Sequence, residues 1–315
     1  MRLAAVIPTL NGGETFSRVL AGLRSQSLAP RTLLVIDSGS VDGTVPLALA
    51  GGARVHRIKA PEFNHGATRE LGRQLVEADY YLFMTQDALP AHARVLENLV
   101  RPLTQRQEIG LAYGRQLPWP QAHPLEALNR HFNYPAASRL KTKADRGRLG
   151  LKTVFCSNAC ALYRASALEE VGGFPPVIMC EDQYVAARML EAGYAVYYAA
   201  EAQVFHSHNY SMWEECRRYF DAGVFFGSRE RWIVEGFGAA GPEGLRLVRE
   251  GRRYLSRAGK TYLFPYLLLR LFLKFAGYQL GARERFLPNS LKARLSLHGH
   301  FWRDLREPTE ALSRS

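Results

Sequence analysis

Apolar runs and polar breaks alternate along the first part of the chain in a repeating unit. Leu3, Ala4, Ala5, Val6 and Ile7 form a short β-rich run that stops at Pro8-Thr9-Leu10-Asn11-Gly12-Gly13. Beyond it Phe16, Val19, Leu20 and Leu23 recur at helical spacing, so the unit reads strand, loop, helix. A second run, Leu33-Leu34-Val35-Ile36, ends at Asp37-Ser38-Gly39-Ser40-Val41-Asp42-Gly43-Thr44, a string of turn formers and helix N-cap residues. Residues 54–58 and 80–84 supply a third and a fourth strand, with a helix expected over 66–78 between them. Strands alternating with helices predict an α/β fold on a mostly parallel sheet flanked by helices. Ligands of such sheets sit beyond the carboxyl ends of the strands, so the polar segments after Ile7, Ile36 and Met84 are expected to converge on one cleft.

Between residues 117 and 149 the chain is rich in Pro, His, Arg and Lys with weak periodicity, and it reads as an inserted loop region. Apolar order returns at Ala159-Cys160-Ala161-Leu162-Tyr163, followed by a helix over 166–171 and the break Gly172-Gly173-Phe174-Pro175. Glu181-Asp182 then opens another helix, with Val185, Met189 and Leu190 along one side and Gly193 at its end. Past residue 211 the character turns aromatic and basic. A catalytic domain over 1–225 and a basic, aromatic, helical appendage over 226–315 are therefore expected. The most apolar stretch, 262–278, is interrupted by Pro265, Arg270 and Lys274 and falls short of the roughly 20 uninterrupted apolar residues of a membrane span. Arg270 and Lys274 share one helix face, which suits a helix lying in the headgroup region of an anionic membrane surface. The alternative is a core helix packed on the catalytic domain.

Charge narrows the choice of partners. The 315 residues carry 41 Lys and Arg against 29 Asp and Glu, a formal net charge of +12. Such a surface attracts nucleic acid, phospholipid or a diphosphate-bearing small molecule. At 47% hydrophobic and 22% charged, the chain buries a sizeable core, which excludes disorder. A nucleic-acid binder would interleave aromatics with basic residues on strands, whereas here the aromatics cluster in the apolar tail, so no nucleic-acid partner is expected. No GxxxxGK[ST] string occurs and no GxGxxG follows the first strand, against a P-loop enzyme or a dinucleotide-binding dehydrogenase. Cys156, Cys160, Cys180 and Cys216 form no CxxC pair, and the short apolar start breaks at Pro8 without a signal-peptide core. A reducing, cytoplasmic location is expected, peripheral on the cytoplasmic face of the inner membrane if the tail meets lipid.

Carboxylates stand where strands end or helices begin: Asp37 and Asp42 after the second strand, Asp87 after the fourth, and Glu181-Asp182 at a helix start. Such groups bind ribose hydroxyls, hold a divalent metal or act as a general base. Pro8-Thr9-Leu10-Asn11, the segment from Asp37 to Thr44, and Glu181-Asp182 together resemble the inverting GT-A glycosyltransferases of family 2 over about residues 1–225. More narrowly, Phe63-Asn64-His65-Gly66-Ala67-Thr68-Arg69, Thr85-Gln86-Asp87-Ala88 and His206-Ser207-His208-Asn209-Tyr210-Ser211 resemble the bacterial rhamnosyltransferase branch. That resemblance implies a GT-A nucleotide-diphospho-sugar transferase fold with a C-terminal helical appendage. It also implies a nucleotide-sugar donor, dTDP-L-rhamnose, and a lipid-linked or oligosaccharide acceptor in cell-surface polysaccharide assembly.

Carried over residue by residue, the family pattern puts Pro8, Thr9, Asn11, Ser40 and Gln86 beside the nucleotide and Asp37 on the base, where a carboxylate accepts the N3–H of uracil or thymine alike. Asn64, His65 and Arg69 border the nucleotide-sugar, with Arg69 able to fork onto phosphate oxygens. The family's Asp-x-Asp metal motif is here Thr85-Gln86-Asp87, which leaves Asp87 for Mg²⁺ or Mn²⁺. The missing carboxylate suits a deoxyribose nucleotide, which needs fewer ribose contacts. His206 and His208 project to the same side of an extended segment and are expected on the metal or the diphosphate. Glu215-Cys216-Arg217-Arg218-Tyr219 resembles a degenerate Gln-x-x-Arg-Trp motif, with Arg217 or Arg218 on the diphosphate and Tyr219 near the acceptor. Inverting transfer needs one carboxylate to deprotonate the acceptor hydroxyl: Asp182 by this reading, with Glu181 as the alternative or as a partner orienting the acceptor. The competing readings are a family 2 transferase using a UDP-sugar, and a nucleotidyltransferase.

Overall fold

The computed structural model describes residues 1–239 and 241–302. Its strands are β1 Leu3–Thr9, β2 Thr32–Asp37, β3 Arg54–Arg57, β4 Tyr80–Met84, β5 Leu89–Pro90, β6 Ile109–Leu117, β7 Arg139–Lys141, β8 Cys160–Arg164 and β9 Ala195–Phe205. They form one sheet in the order β3-β2-β1-β4-β8-β6-β9-β5, with β7 also paired to β9. The helices are α1 Gly13–Arg24, α2 Thr44–Ala50, α3 His65–Leu75, α4 Val95–Gln105, α5 Pro124–Asn133, α6 Arg146–Leu149, α7 Ala165–Glu170, α8 Glu181–Glu191, α9 Met212–Ala222, α10 Arg231–Phe237, α11 Gly241–Arg257, α12 Phe264–Gly281 and α13 Asn289–Leu295.

Alternation within the central strands builds two cores. Leu3, Ala5 and Ile7 meet Phe16, Leu20 and Leu23 of α1 and Leu96 and Leu99 of α4. Ala4 and Val6 point the other way, into a core with Phe83, Tyr163, Val185 and Leu190. With both faces covered, the strands read as near-continuous apolar runs. The sheet is parallel from β3 to β4 and mixed beyond: β8 runs antiparallel to β4 and β6, and β5 and β7 antiparallel to β9. The register gives the reason, since Cys160 pairs with Met84 and the chain therefore enters β8 at the end where β4 stops.

The segment 117–149 is not an inserted loop. It holds α5, entered through His123, whose Nδ1 accepts the Leu125 N–H, with Leu125, Leu128 and Phe132 buried at helical spacing, and β7, which joins the sheet. The boundary expected at residue 225 falls within a π-helical segment, Gly223–Arg229, that follows α9. Gly277 and Gly281 of α12 lie against the α9 backbone so closely that an added Cβ would sit 2.3 Å from the Cys216 carbonyl oxygen or 1.9 Å from that of Phe220. Only glycine permits that approach.

The orientation of α12 also departs from the expectation. Arg270 and Lys274 face inward: Arg270 Nε lies 2.6 Å and Lys274 Nζ 2.9 Å from the Glu215 carboxylate, and Arg270 Nη2 is 3.1 Å from Glu126 Oε1. All four side chains are buried, so the cations neutralise acids of α5 and α9 and do not reach a headgroup layer. The outward face is the apolar one, with Leu268, Leu269, Phe272 and Phe275 exposed.

Candidate active site

The loops after β1, β2 and β4 meet as expected. Asn11, at φ +48, donates its N–H to Ser40 Oγ (2.8 Å) and accepts the Val41 N–H on Oδ1 (2.9 Å). Gln86 spans to the first loop twice, accepting the Leu10 N–H (2.8 Å) and donating to the Leu10 carbonyl (3.0 Å). Pro8 and Ser40 are half-buried and Asn11 exposed at this edge, while Thr9 is buried. Asp37 is only 1% exposed, and its carboxylate is used inside the loop: it accepts from Thr9 Oγ1 (3.3 Å) and from the N–H groups of Gly39 (3.2 Å) and Ser40 (3.0 Å). Asp37 thus shapes this loop from within.

Two more of the expected residues are likewise engaged within the protein. Asn64 caps α3 by accepting the N–H groups of Gly66 and Ala67 (3.0 Å each) and donates to the Val177 carbonyl (2.9 Å). Arg69, 3% exposed, points away from solvent and pairs with Glu181 Oε1 at 3.0 Å while donating to the His65 carbonyl. Nη1 of its fork is therefore turned onto a carboxylate of the protein, while its buried Nε has no partner among the described residues.

That pairing separates the two carboxylates at the start of α8. Cys180, at φ +62, turns the chain into the helix. Glu181 is buried, held by Arg69 and by Asn158 Nδ2 (2.9 Å), and is kept ionised below its ordinary range: burial would raise it, but the Arg69 charge prevails. Asp182 is half-buried and accepts the N–H groups of Asn158 (3.0 Å) and Gln183 (2.8 Å). Burial, reinforced by the adjacent Glu181 charge, pushes Asp182 up to about 7. The helix N-terminus acts in the opposite direction and is outweighed.

On the other side of the same strand ends, Asp87, His206 and His208 each turn one ligand atom toward a common point, all within 4.8 Å of one another. Asp87 Oδ1 is 3.4 Å from His206 Nε2, Asp87 Oδ2 3.4 Å from His208 Nε2, and the two Nε2 atoms are 3.1 Å apart. Gln116 Oε1 lies 2.9 Å from His206 Nδ1 and, taking that N–H, leaves Nε2 as a lone pair aimed inward. Burial pushes His208 down to about 4, so it is neutral at pH 7. One carboxylate and two imidazoles are a donor set for a divalent cation, and two nitrogens favour Mn²⁺ over Mg²⁺, which prefers oxygen. Gln116 also donates to Ser157 Oγ (2.8 Å), next to Asn158, linking this cluster to the segment that holds Asp182.

The basic segment on α9 divides its roles. Arg217 donates to the Ser296 carbonyl and pins the chain after α13. Tyr219 lies under Lys274 of α12, 5.2 Å from ring centroid to Nζ. Arg218 is exposed with its guanidinium 5.7 Å from the Tyr210 ring, and its charge is felt at both His208 and His65. Among the described residues it forms no ion pair. The sequence reading missed His298, whose ring meets that of His65 edge-on at 5.1 Å, and His300, 6.1 Å from His298. Leu297 donates its N–H to Asp221 (2.9 Å), so a C-terminal segment closes over the His65 side of the cleft. The signal was a His-x-His pair like that of His206 and His208, but on a segment where the pattern of apolar residues marked no strand or helix to place it; in the structure His300 falls in a 3-10 turn, Gly299–Trp302.

The family model for Glycosyl transferase family 2 matches residues 4–172. This chain belongs to glycosyl transferase family 2. The transferase is 43% identical to the O-antigen chain rhamnosyltransferase RfbN of Salmonella typhimurium, over 97% of this chain and 98% of that one. It is 39% identical to the O-antigen chain rhamnosyltransferase WbaN of Salmonella anatum, over 96% of each. Among solved structures it resembles a Pyrobaculum calidifontis mannosyltransferase in complex with GDP-Man and Mn²⁺ (TM-score 0.60, 14% identity, 89% of this chain and 86% of that one). It also resembles residues 1–349 of TarS from S. aureus (TM-score 0.55, 14% identity, 96% and 87%). These two likenesses establish the GT-A fold of the transferase.

Proposed function

We propose that the transferase moves a rhamnosyl group from dTDP-L-rhamnose, with inversion, onto a hydroxyl of a lipid-linked or growing cell-surface polysaccharide. The observation that carries the choice of sugar is the identity, over nearly the whole chain, to two O-antigen chain rhamnosyltransferases. The same reading puts the enzyme at the cytoplasmic membrane face, where a lipid-linked acceptor lies. No helix among the described residues is long and apolar enough to cross a membrane.

Asp182 is the base. With a pKa near 7 it takes the acceptor hydroxyl proton as that oxygen bonds to the anomeric carbon and the bond from that carbon to the diphosphate breaks, releasing dTDP. Glu181, tied to Arg69 and Asn158, raises the basicity of Asp182 and takes no proton itself. Asp87, His206 and His208 would hold Mn²⁺, or Mg²⁺ less well, and such a cation would supply positive charge to offset that growing on the leaving diphosphate. Arg218 supplies a further positive charge facing that diphosphate. Pro8, Thr9, Asn11, Ser40 and Gln86 form the edge against which the nucleotide rests, and His65 borders the sugar.

The test is calorimetric titration with dTDP-rhamnose, UDP-glucose and GDP-mannose, each with and without Mn²⁺. Selective, Mn²⁺-enhanced binding of dTDP-rhamnose is expected. Preference for another nucleotide would discard rhamnose and keep the fold, and pyrophosphate release from a triphosphate would turn the reading to nucleotidyl transfer.

A further inference from the structure

We propose that the outward face of α12, together with the arginines that frame it, is a docking surface for an anionic lipid bilayer. Leu268, Leu269, Phe272 and Phe275 recur at helical spacing on the side opposite the buried Arg270, Lys274, Gly277 and Gly281. Phe272 and Phe275 are 64% and 62% exposed, and Tyr262 and Phe286, beyond the two ends of the helix, are exposed as well. Large contiguous apolar patches of this kind mark interaction sites.

Charge selects the occupant. Residues 251–283 contain no Asp or Glu, yet carry Arg252, Arg253, Arg257, Lys260, Arg270, Lys274 and Arg283. Arg270 and Lys274 are consumed inside, whereas Arg252, Arg253, Arg257 and Arg283 are exposed and, among the described residues, form no ion pair. The neighbouring acids are all engaged: Glu243 with Lys152, Glu250 with Arg246, and Glu284 with Arg229 and Lys292. A second copy laid on this face would bring two sets of arginines together with no counter-charge from residues 251–283 of either copy. A surface of anionic phosphates satisfies both the apolar stripe and its basic frame. The helix lies on that surface and does not cross it, since its other face is fastened to α5 and α9 by buried ion pairs. The inference rests on the proposed function only for the lipid-linked acceptor that would make such docking useful.

Flotation of the full chain with vesicles tests it. Wild-type protein is expected to float with phosphatidylglycerol-containing vesicles and to bind pure phosphatidylcholine, or any vesicle in high salt, about tenfold more weakly. The double variant Phe272→Ser, Phe275→Ser is expected to lose about tenfold in vesicle affinity, and Arg252→Glu, Arg253→Glu a similar factor, both retaining dTDP-rhamnose binding by calorimetry. If the serine variant does not fold, the arginine variant, altered only at exposed positions, carries the test. Absence of vesicle binding, equal affinity for the two lipids, or unchanged binding by the variants overturns the proposal. So does a dimer that the serine variant dissociates in the absence of vesicle binding, which would give the face to a second copy. Vesicle binding without dTDP-rhamnose binding removes the donor assignment and leaves the surface standing.

Discussion

Replacing Asp182 by Asn separates catalysis from stability. The carboxylate that takes the acceptor proton is lost, so turnover should fall by about 10²- to 10⁴-fold with donor affinity nearly unchanged. Stability should move the other way. Asp182 titrates at about 7 in the folded chain against an ordinary 3.8, so keeping it ionised at pH 7 costs roughly 4 kcal/mol. Asn removes that cost but has one acceptor oxygen where the carboxylate uses two, for the Asn158 and Gln183 N–H groups, so one N–H is left unpaired at a loss of about 1–3 kcal/mol. The balance is a stabilisation of about 1–3 kcal/mol at pH 7, read as a higher Tm. The sign fixes the pH window as well. A raised carboxyl pKa favours the folded state fully below pH 4, and that contribution is lost as pH rises through 7, so the gain from Asn should vanish by pH 4. Turnover of the wild type needs the ionised form, so it should rise to a plateau above pH 7 and be about tenfold lower at pH 6. The assay is dTDP release at saturating donor between pH 5 and 8, beside thermal melts of both proteins. A flat wild-type profile, a variant within tenfold of wild type, or lost donor affinity with normal turnover would refute the base assignment.

Chelation should abolish the metal-enhanced part of donor binding, Mn²⁺ should restore it better than Mg²⁺, and His206→Ala should remove the response in the same titration. Arg218→Ala should weaken dTDP-rhamnose binding about tenfold by calorimetry, while Arg217→Ala should leave donor affinity alone and make the segment after α13 more susceptible to proteolysis. Truncation before Lys260 should not yield a soluble folded core. It would leave Glu126 and Glu215 buried without their cations, a loss of about 3–5 kcal/mol, and a cooperative melt of the truncated chain would contradict this.

The parts legible in the sequence were those settled by near neighbours along the chain. β4 occurs at the residues expected, and the loops after β1, β2 and β4 converge because a parallel sheet puts successive strand ends on one side. What a residue does with its side chain was less legible. Arg69 and Asp37 belong to the right segments, but each is engaged by a group far along the chain or within its own turn, and the one-dimensional pattern does not show such engagement. The α12 helix makes the same point in energy. Its periodicity separates a basic stripe from an apolar one and is silent on which turns inward. Exposed cations would ordinarily be favoured, and burying Arg270 and Lys274 is tolerable only because Glu215 and Glu126 meet them. Glu126 lies in the segment that read as a loop, so missing α5 removed the partner that decides the orientation of a helix 144 residues away from it. With that partner in place the apolar stripe turns to the outside, and the same basic chain that was expected to touch lipid through Arg270 and Lys274 presents phenylalanines and leucines there.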